Sequence, residues 1–561
     1  MIYYTLPQSP VNVFRNINVE THPQMPPVFI SQSLCSYMND IKEQISSREK
    51  EWDVYKKYTN PYEYIHSIVP QKKKSISKYK PISRSYFKML EMIAEFHLDT
   101  PASLVLRKTR TQEYKTHGGE DKPSLQPPSL NRPQADKGAN APFETPPIQK
   151  SEMHPSSLPR PSLHPPSLNR PQAELHPTLQ RINSIQEWIK TKRDELSSKT
   201  KNASMRTFHL AEGPGGFIEA ICNKRNNPFD EYYGMTIILD EMDDNVPAWH
   251  KTSHFLSQHP NVNIEYGIDG TGNLLHIENF EHCVKKYGAS MDLITADGGF
   301  DFSKDFNRQE ISIANLLWGQ VCYALCLQKQ NGNFVLKIFD IFYEHTVHIL
   351  YILASFYEEV NICKLKTSRV GNSEKYLVCR NFRYSSYTAF YSIIHESFLQ
   401  IKQSSNNVFS PRNRCTVRVE PQVPLGADME FVSPENNHSM VPISGYSSNP
   451  FWSSPNSIDI FAKETSYPLQ PYVWRIMNCR IPRYFTKQIE DINAIFGQQQ
   501  IENIHYTLSL IDKQPKQDRL DLLVKQNITK CTNWCIEHSI LYNNLVTTNV
   551  FEKTAGRVAS V

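Results

Sequence analysis

The chain has 561 residues, and 39% of them are hydrophobic, so it is long enough to bury more than one core of ordinary size. Its 61 basic and 57 acidic residues leave a net charge of only +4, so any affinity for nucleic acid must come from local patches. Ten of the 20 glycines lie between positions 213 and 299, and 14 of the 38 prolines lie between positions 123 and 177. This skew separates a glycine-using core from a segment that resists regular structure.

The termini and cysteines exclude several classes of protein. The start, MIYYTLPQSP, has no basic segment and no long apolar run, so we expect no signal peptide. The most apolar stretch, 338–357, is interrupted by charged and histidine side chains, which predicts a soluble strand and helix without membrane contact. The eleven cysteines form no paired CxxC motifs, which favours reduced thiols inside a cell. Cys531, Cys535 and His538 could supply three metal ligands, but helix packing is the favoured interpretation, and no metal site is predicted.

The N-terminal part divides into two segments. Residues 1–69 predict a mixture of helix and loop, and residues 70–100 begin with the basic run QKKKSISKYKPISRSYFK, which contains no acid. Two interpretations of this run stay open: phosphate contact with base stacking by Tyr79, Tyr86 and Phe87, or a solvated basic surface. Lys88 then opens a predicted helix whose apolar residues face inward.

The remaining chain predicts an insertion, a domain and a tail. Residues 101–180 contain the nonapeptide PPSLNRPQA twice, and their prolines block helix and sheet, which predicts a disordered insertion. Residues 181–382 alternate strands and helices in the pattern of a doubly wound α/β domain. Residues 383–561 predict a mainly helical region of unknown role. The seven predicted strands of the domain lie at about 207–211, 233–238, 262–266, 292–296, 333–338, 360–365 and 376–380.

A glycine-rich turn follows the first of these strands, in FHLAEGPGGFIEAI at 208–221. Glycines leave room for a flat ligand over the turn, and the helix start presents free amides. One such turn is weak evidence, since any strand-to-helix connection can contain one. Its spacing departs from the dinucleotide and phosphate-loop fingerprints, which argues against NAD and ATP.

Three further positions carry candidate chemistry. Asp297 follows the strand of MDLITADGGF, so we expect it to face the same cleft as Glu212, unless it only caps a turn. Lys337 lies inside the apolar strand of NGNFVLKIFDIF, where lost hydration should lower its pKa unless the amine reaches the edge. Glu374 stands before the last strand, in SRVGNSEKYLVCRNF, and on its own would pass for a surface carboxylate.

Taken in order, SRSYFK, AEGPGGF, TADGGF, FVLKIFDIF and SEKYLVC resemble the motifs of the RrmJ/FtsJ-type RNA ribose 2′-O-methyltransferases, which use S-adenosylmethionine. The resemblance implies an α/β fold with a Rossmann-like, doubly wound seven-stranded sheet. It also implies a Lys-Asp-Lys-Glu catalytic set, which becomes Lys88, Asp297, Lys337 and Glu374, with Lys337 as the proton acceptor. The implied cofactor contacts, which include Asp297 again, are Glu212, Gly213, Pro214, Gly215, Gly216, Phe217, Asp240 and Asp269.

Finer phrases narrow the resemblance. YYGMTI, YGIDGTGN and the TSR…NSEKY arrangement are closer to the mRNA cap ribose methyltransferases of eukaryotes and large DNA viruses than to the ribosomal branch. The implied reaction is 2′-O-methylation of the first transcribed nucleotide of capped mRNA. Methylation of ribosomal or other structured RNA is one alternative, and a catalytically silent RNA-binding or scaffold subunit is another. RNA is the implied partner, with other capping or transcription components, and we expect action in the cytoplasm, in a viral factory or virion, with the nucleus as the alternative.

Overall fold

The computed structural model describes residues 1–104, 204–238, 249–299, 306–406 and 471–545. The predicted Pro-rich insertion and Asp240 lie outside the described residues. Residues 1–102 pack into one compact unit with the described chain from Ser204 onward. The N- and C-terminal additions therefore belong to the same body as the doubly wound domain.

Ten strands are described, and eight of them form one central sheet in the order β1-β8-β9-β7-β6-β3-β4-β5, while β2 and β10 form a two-stranded ribbon. Their bounds are β1 (Ile2–Thr5), β2 (Ile17–His22), β3 (Arg206–Leu210), β4 (Glu231–Met235), β5 (Val262–Ile264), β6 (Met291–Ala296), β7 (Gln328–Ile338), β8 (Tyr357–Lys364), β9 (Lys375–Phe382) and β10 (Tyr472–Met477).

The sheet topology defines where a ligand can bind. Strands β3 to β7 run parallel, and β3 lies between β4 and β6, so the strand order reverses at β3. Strand β9 is antiparallel to both β7 and β8. In such sheets the ligand crevice lies outside the carboxyl ends of the strands at the reversal. The seven predicted strands and the doubly wound α/β class are confirmed.

The helices pack around this sheet. The described α-helices are α1 (Gln32–Ser46), α2 (Glu49–Thr59), α3 (Ser85–Phe96), α4 (Gly216–Arg225), α5 (Ser253–Gln258), α6 (Ile277–Tyr287), α7 (Gln309–Ser312), α8 (Ala314–Leu327), α9 (Glu344–Phe356), α10 (Tyr391–Asn406), α11 (Arg483–Lys513) and α12 (Gln517–Glu537). Short 3₁₀ helices lie at Val13–Asn16, Glu63–Ile65, Trp249–Thr252 and Phe306–Arg308. Among the described residues, no helix has the length and apolar character needed to cross a membrane.

Burial explains why the central strands could be predicted. All six residues of β6 are buried, as expected for a parallel strand covered on both faces, and such strands appear in the sequence as apolar runs. Helix α8 ends at Leu327, and β7 follows it directly at Gln328. Helix α3 begins at Ser85, three residues before the Lys88 start that the sequence predicted.

The terminal additions contain strands that the sequence analysis missed. Strand β1 pairs antiparallel with β8, so the expectation of only helix and loop in residues 1–69 is wrong for these residues. Strand β2 pairs with β10, which lies in the predicted mainly helical tail. Both partnerships join residues hundreds of positions apart, and the short strands carry no long apolar run, so local pattern could not reveal them.

Candidate active site

The four predicted catalytic side chains come together as two ion pairs. Lys88 Nζ donates a hydrogen bond to Glu374 Oε2 at 2.6 Å. Lys337 Nζ donates to the backbone oxygen of Asp297 at 2.6 Å and lies 3.3 Å from the Asp297 carboxylate. The four side chains are 12–13% exposed, so they are mostly shielded yet still open to a ligand.

Two strand ends and one helix bring these residues together. Asp297 directly follows β6, and Lys337 lies near the end of the adjacent parallel strand β7. Glu374 directly precedes β9, the antiparallel neighbour of β7. Lys88 comes from α3, which packs against α4 after the glycine turn. Three of the groups therefore belong to the doubly wound domain and one to the N-terminal addition.

Tyr376 joins the two pairs, and the sequence analysis missed it. Its hydroxyl donates to Asp297 Oδ1 at 2.8 Å and accepts a hydrogen bond from Lys88 at 3.3 Å. The side chain is fully buried, and burial together with the charges of Asp297 and Glu374 raises the pKa of Tyr376 well above its ordinary value. The available signal was its position two residues after Glu374, which places both on one face of an extended segment.

Glu374 is a fixed negative charge in this cluster. Burial alone would raise the pKa of its carboxyl, but the charges of Lys88 and Lys337 and the hydrogen bonds from Lys88 and Ser368 lower the pKa well below the ordinary value. Ser368 Oγ donates to Glu374 Oε1 at 2.6 Å. Glu374 therefore stays ionised near neutral pH and anchors Lys88 rather than accepting a proton.

The glycine turn connects β3 to α4. Gly215 has a φ of +101°, a conformation that favours glycine. A Cβ at Gly216 would lie 2.1 Å from Ser83 Oγ, so this glycine allows the start of α3 to approach the turn. The absence of a Cβ at Gly216 thus leaves room for Ser83 as well as for a ligand over the turn. Phe217 is fully buried beside Tyr376, so only its backbone could meet a cofactor.

Two buried polar atoms beside this turn are free to meet a ligand. Glu212 Oε1 accepts a hydrogen bond from Thr295, but Oε2 has no partner among the described residues. Trp249 Nε1 also has no partner within the described part of the chain, and its ring would lie 3.2 Å from a Cβ on Gly215. An unpaired acceptor and an unpaired donor fit S-adenosylmethionine, which carries hydroxyl, amino and ring-nitrogen groups.

The carboxylate of Asp269 is used within its own turn. It accepts hydrogen bonds from the backbone and hydroxyl of Thr271, from Asn279 and, at 2.6 Å, from His276. Partial burial opposes ionisation, but these hydrogen bonds lower the pKa of Asp269 well below its ordinary value. Asp269 therefore shapes the turn, and its predicted contact with the cofactor stays a prediction, as does that of Asp240.

A cavity of about 520 Å³ extends to Ser373, the residue before Glu374, and the sequence analysis did not predict it. Helices α1, α2 and α11 form its walls together with the loop that precedes Glu374. Trp52 supplies an aromatic surface, with the carboxylates of Glu49 and Asp53 and the cations of Lys56 and Arg369 around it. This lining could hold a flat, charged ring and neighbouring phosphate groups.

The basic run is only partly as predicted. Tyr86 and Phe87 are 5% and 1% exposed, so the base-stacking interpretation is wrong for these two residues. Tyr79 packs on Tyr86 at 5.0 Å and donates its hydroxyl hydrogen bond to Glu219. The exposed lysines of the run that have no ion-pair partner in the described part of the chain are Lys72, Lys73, Lys74, Lys78 and Lys80. Phosphate contact by these lysines stays a prediction.

The candidate metal ligands pack into the protein. Cys531 and Cys535 are buried on α12, and Cys531 Sγ donates to the backbone oxygen of Pro61. The ring centroids of His538 and Trp534 are 4.2 Å apart. No group of three metal-binding side chains occurs within the ranges that the structure describes.

Comparison with known proteins finds similarity over the central domain. Residues 188–382 match the model of the FtsJ-like methyltransferases. A cap-specific mRNA (nucleoside-2′-O-)-methyltransferase 1 of Trypanosoma brucei brucei is 34% identical over 216 residues, which is 37% of this chain and 54% of that protein. A cap-specific mRNA (nucleoside-2′-O-)-methyltransferase 2 of Danio rerio is 33% identical over 207 residues, which is 33% of this chain and 26% of that protein. The chain thus spans about a quarter to a half of these relatives.

Proposed function

We propose that this chain, which contains an FtsJ-like methyltransferase domain, transfers a methyl group from S-adenosylmethionine to a ribose 2′-hydroxyl of capped mRNA. The observation that carries the proposal is the paired cluster of Lys88 with Glu374 and Lys337 with Asp297 at the carboxyl end of the sheet. A silent scaffold has no need to keep two shielded lysines and two carboxylates in mutual contact beside a ligand crevice.

Lys337 is the proposed proton acceptor. A ribose hydroxyl is a poor nucleophile until its proton is removed, so a positioned base accelerates the reaction. The backbone oxygen and carboxylate of Asp297 fix the Lys337 amine at the end of β7. Lys88 is the second amine of the same cluster, and its proposed role is to orient the hydroxyl toward Lys337. Glu374 and Tyr376 hold Lys88 in place.

The glycine turn and Glu212 are the proposed cofactor contacts. When bound, S-adenosylmethionine supplies a sulfonium methyl group that is already electrophilic. The free Oε2 of Glu212 can accept a hydrogen bond, and burial raises the pKa of this carboxyl. The backbone around Gly213 to Phe217 lies at the start of α4, where unsatisfied amides point outward. The protein therefore has to align the methyl group with the ribose hydroxyl and to remove the proton of that hydroxyl.

The cavity around Trp52 supports capped RNA as the substrate. A 7-methylguanosine cap carries a positively charged ring, and such rings bind over aromatic faces flanked by carboxylates. Trp52, Glu49 and Asp53 provide this combination, and the same cavity reaches Ser373, the residue before Glu374. The names of the relatives also support a cap substrate.

Methyl transfer to matched short RNAs tests the proposal. The four RNAs are one with a 7-methylguanosine cap, one with an unmethylated guanosine cap, one with a free 5′-triphosphate, and one capped but already 2′-O-methylated on its first nucleotide. We expect labelled methyl transfer to the first RNA and almost none to the last. Equal transfer to the triphosphate RNA would contradict the cap substrate, and transfer to none of them, with the cofactor bound, would contradict the enzyme assignment.

We also propose contacts with other capping or transcription components, with action in the cytoplasm, in a viral factory or virion, and with the nucleus as the alternative. The support is the sequence resemblance in motifs such as YYGMTI and YGIDGTGN. Imaging of a fluorescent fusion of the full chain tests the location, and accumulation in the nucleus would contradict the cytoplasmic location. Co-purification of capping components at physiological salt tests the partners.

A further inference from the structure

The loop that carries Glu374 is held from outside the family-matched segment. We call residues 365–374, which join β8 to β9, the Glu374 loop. The Glu374 loop also lines the cavity through Arg369 and residues 371–373. The contacts that fix this loop therefore determine the positions of both the Glu374 carboxylate and one wall of the proposed substrate cavity.

Side chains of the N-terminal addition bind the backbone of this loop. Glu91 on α3 accepts hydrogen bonds from the amides of Lys366 and Thr367, both at 2.8 Å. Asn60 accepts one from the amide of Val370 at 2.8 Å. Each bond orients a peptide unit that has no strand partner in this loop, so the path of the backbone is defined by α3 and by the end of α2.

An ion cluster around the buried Glu63 adds a direct link between the loop and the Lys88 helix. Arg369 donates to both oxygens of Glu63, at 3.1 and 2.9 Å, and Arg84 donates to Glu63 Oε2 at 3.1 Å. Arg84 also donates to the backbone oxygen of Thr367 at 2.7 Å. Arg84 precedes α3, one turn before Lys88. Glu63 therefore connects the start of the Lys88 helix with the loop that carries Glu374.

The chemistry of this cluster suits a rigid link. The Glu63 side chain is fully buried, and its burial alone would raise its pKa. The hydrogen bond from Arg369 and the charges of Arg84 and Arg369 lower the pKa of Glu63 to about 2. The carboxylate is thus ionised in any ordinary assay. Two-point guanidinium contacts define direction as well as distance, which a single point charge does not.

We propose that Glu63 is a positioning residue for methyl transfer, because with Arg84 and Arg369 it holds the Glu374 loop against the Lys88 helix. The inference rests on the proposed function, since it assigns Glu63 the task of keeping Lys88 and Glu374 in contact at 2.6 Å. Glu63 itself touches neither the cluster nor the cofactor turn through any described contact.

Glu63→Gln in the full chain tests the proposal. It keeps the shape and removes the charge, so Arg84 and Arg369 lose their common anchor. We expect kcat on capped RNA to fall about a hundredfold, the usual scale for a misplacement of about 1 Å, while cofactor affinity changes less than about twofold. Amide hydrogen exchange in residues 366–370 should become faster. The matched control is Glu537→Gln, because Glu537 binds Lys366 of the same loop from an exposed position and should change none of these values.

Arg84→Lys is the milder second variant, for the case that Glu63→Gln does not fold. It keeps the positive charge but loses the fork that reaches Glu63 and Thr367 together, so we expect a smaller fall in kcat and the same faster exchange. Unchanged kcat with only a lower melting temperature would overturn the proposal, and so would a lost kcat with fully protected amides. Amide exchange needs no substrate, so it tests the link even if the wild-type chain methylates no capped RNA.

Discussion

The doubly wound domain and the terminal additions contribute different parts of one site. The domain supplies the cofactor turn and three charged groups, Asp297, Lys337 and Glu374, at the ends of its strands. The additions supply Lys88, most of the cavity wall and the side chains that hold the Glu374 loop. The comparison teaches that the matched segment contains three of the four clustered charges, whereas Lys88 and most of the proposed substrate cavity come from residues outside the match.

The largest expected effect is on the domain side, at Lys337. Replacing Lys337 by alanine removes the proposed base, so we expect methyl transfer to fall by about a thousandfold or more, within the range for general bases. Calorimetry should show nearly unchanged cofactor binding, because the glycine turn and Glu212 are untouched. Lys285→Ala, at an exposed position on α6, is the control. Activity retained by the Lys337 variant would refute the base assignment.

The second-largest expected effect is at Lys88, which belongs to the N-terminal addition. Lys88→Ala leaves Glu374 ionised and without its ammonium partner, so we expect methyl transfer to fall about a hundredfold at constant cofactor affinity. Glu95→Ala, exposed on the same helix, should behave like the wild type. Full activity of the Lys88 variant would mean that the domain is catalytically sufficient and that the additions only bind substrate or partners.

A smaller effect, at Trp52, distinguishes a role in substrate binding from a role in catalysis. Trp52→Ala removes the aromatic surface of the cavity, so we expect KM for capped RNA to rise about tenfold, in line with the loss of one stacked base. The kcat value should stay close to that of the wild type. Val54→Ala, exposed on the same helix, is the control. A fall in kcat without a change in KM would place Trp52 in the catalytic geometry instead.

The smallest effect concerns the packing of α9 against β10. His348 Nδ1 accepts hydrogen bonds from the amides of Ile476 and Met477, both at 3.2 Å. Burial, with the charges of Arg475 and His345, lowers the pKa of His348 to about 3. The ordinary pKa, about 6.5, applies to the unfolded chain. Neutral His348 therefore contributes its full stability above about pH 6.5 and loses it as the pH falls toward 3.

Thermal unfolding between pH 7 and pH 4 measures this contribution. Between the unfolded and folded pKa values of one histidine, the unfolding free energy falls by at most about 1.4 kcal/mol for each pH unit of acidification. We expect His348→Asn, whose amide oxygen can still accept a hydrogen bond, to show a shallower fall in melting temperature than the wild type. His254→Gln, at an exposed position, should leave the slope unchanged. An equal slope in the His348 variant would contradict the prediction.

The sequence predicted what local pattern encodes. Buried parallel strands are apolar runs, so β6 and β7 could be recognised, and Asp297 and Lys337 followed from their places at the strand ends. Lys88 and Glu374 required the resemblance, because each alone looks like an ordinary surface charge. Their contact joins positions far apart in sequence, which no local pattern encodes.

The features that were missed depend on long-range packing. Tyr376 is one more aromatic residue in a strand until its hydroxyl is seen between Lys88 and Asp297. Glu63 belongs to no motif, and its two arginine partners lie in different segments of the chain. Trp52 looks like a helix residue of unassigned purpose. The proposed role of each residue depends on contacts with residues that are distant in sequence and become neighbours only when the chain folds.

The pairing of β1 with β8 has a consequence for the order of events during synthesis. Ile2 lies opposite Lys364, about 360 residues later in the chain. At a synthesis rate of roughly 5–20 residues per second, the first strand waits tens of seconds after it is made before its partner exists. A shorter delay applies to Lys88, whose partner Glu374 lies 286 residues later and is made just after β8. The ribosome therefore has to finish most of the protein before the two halves of the catalytic cluster can meet.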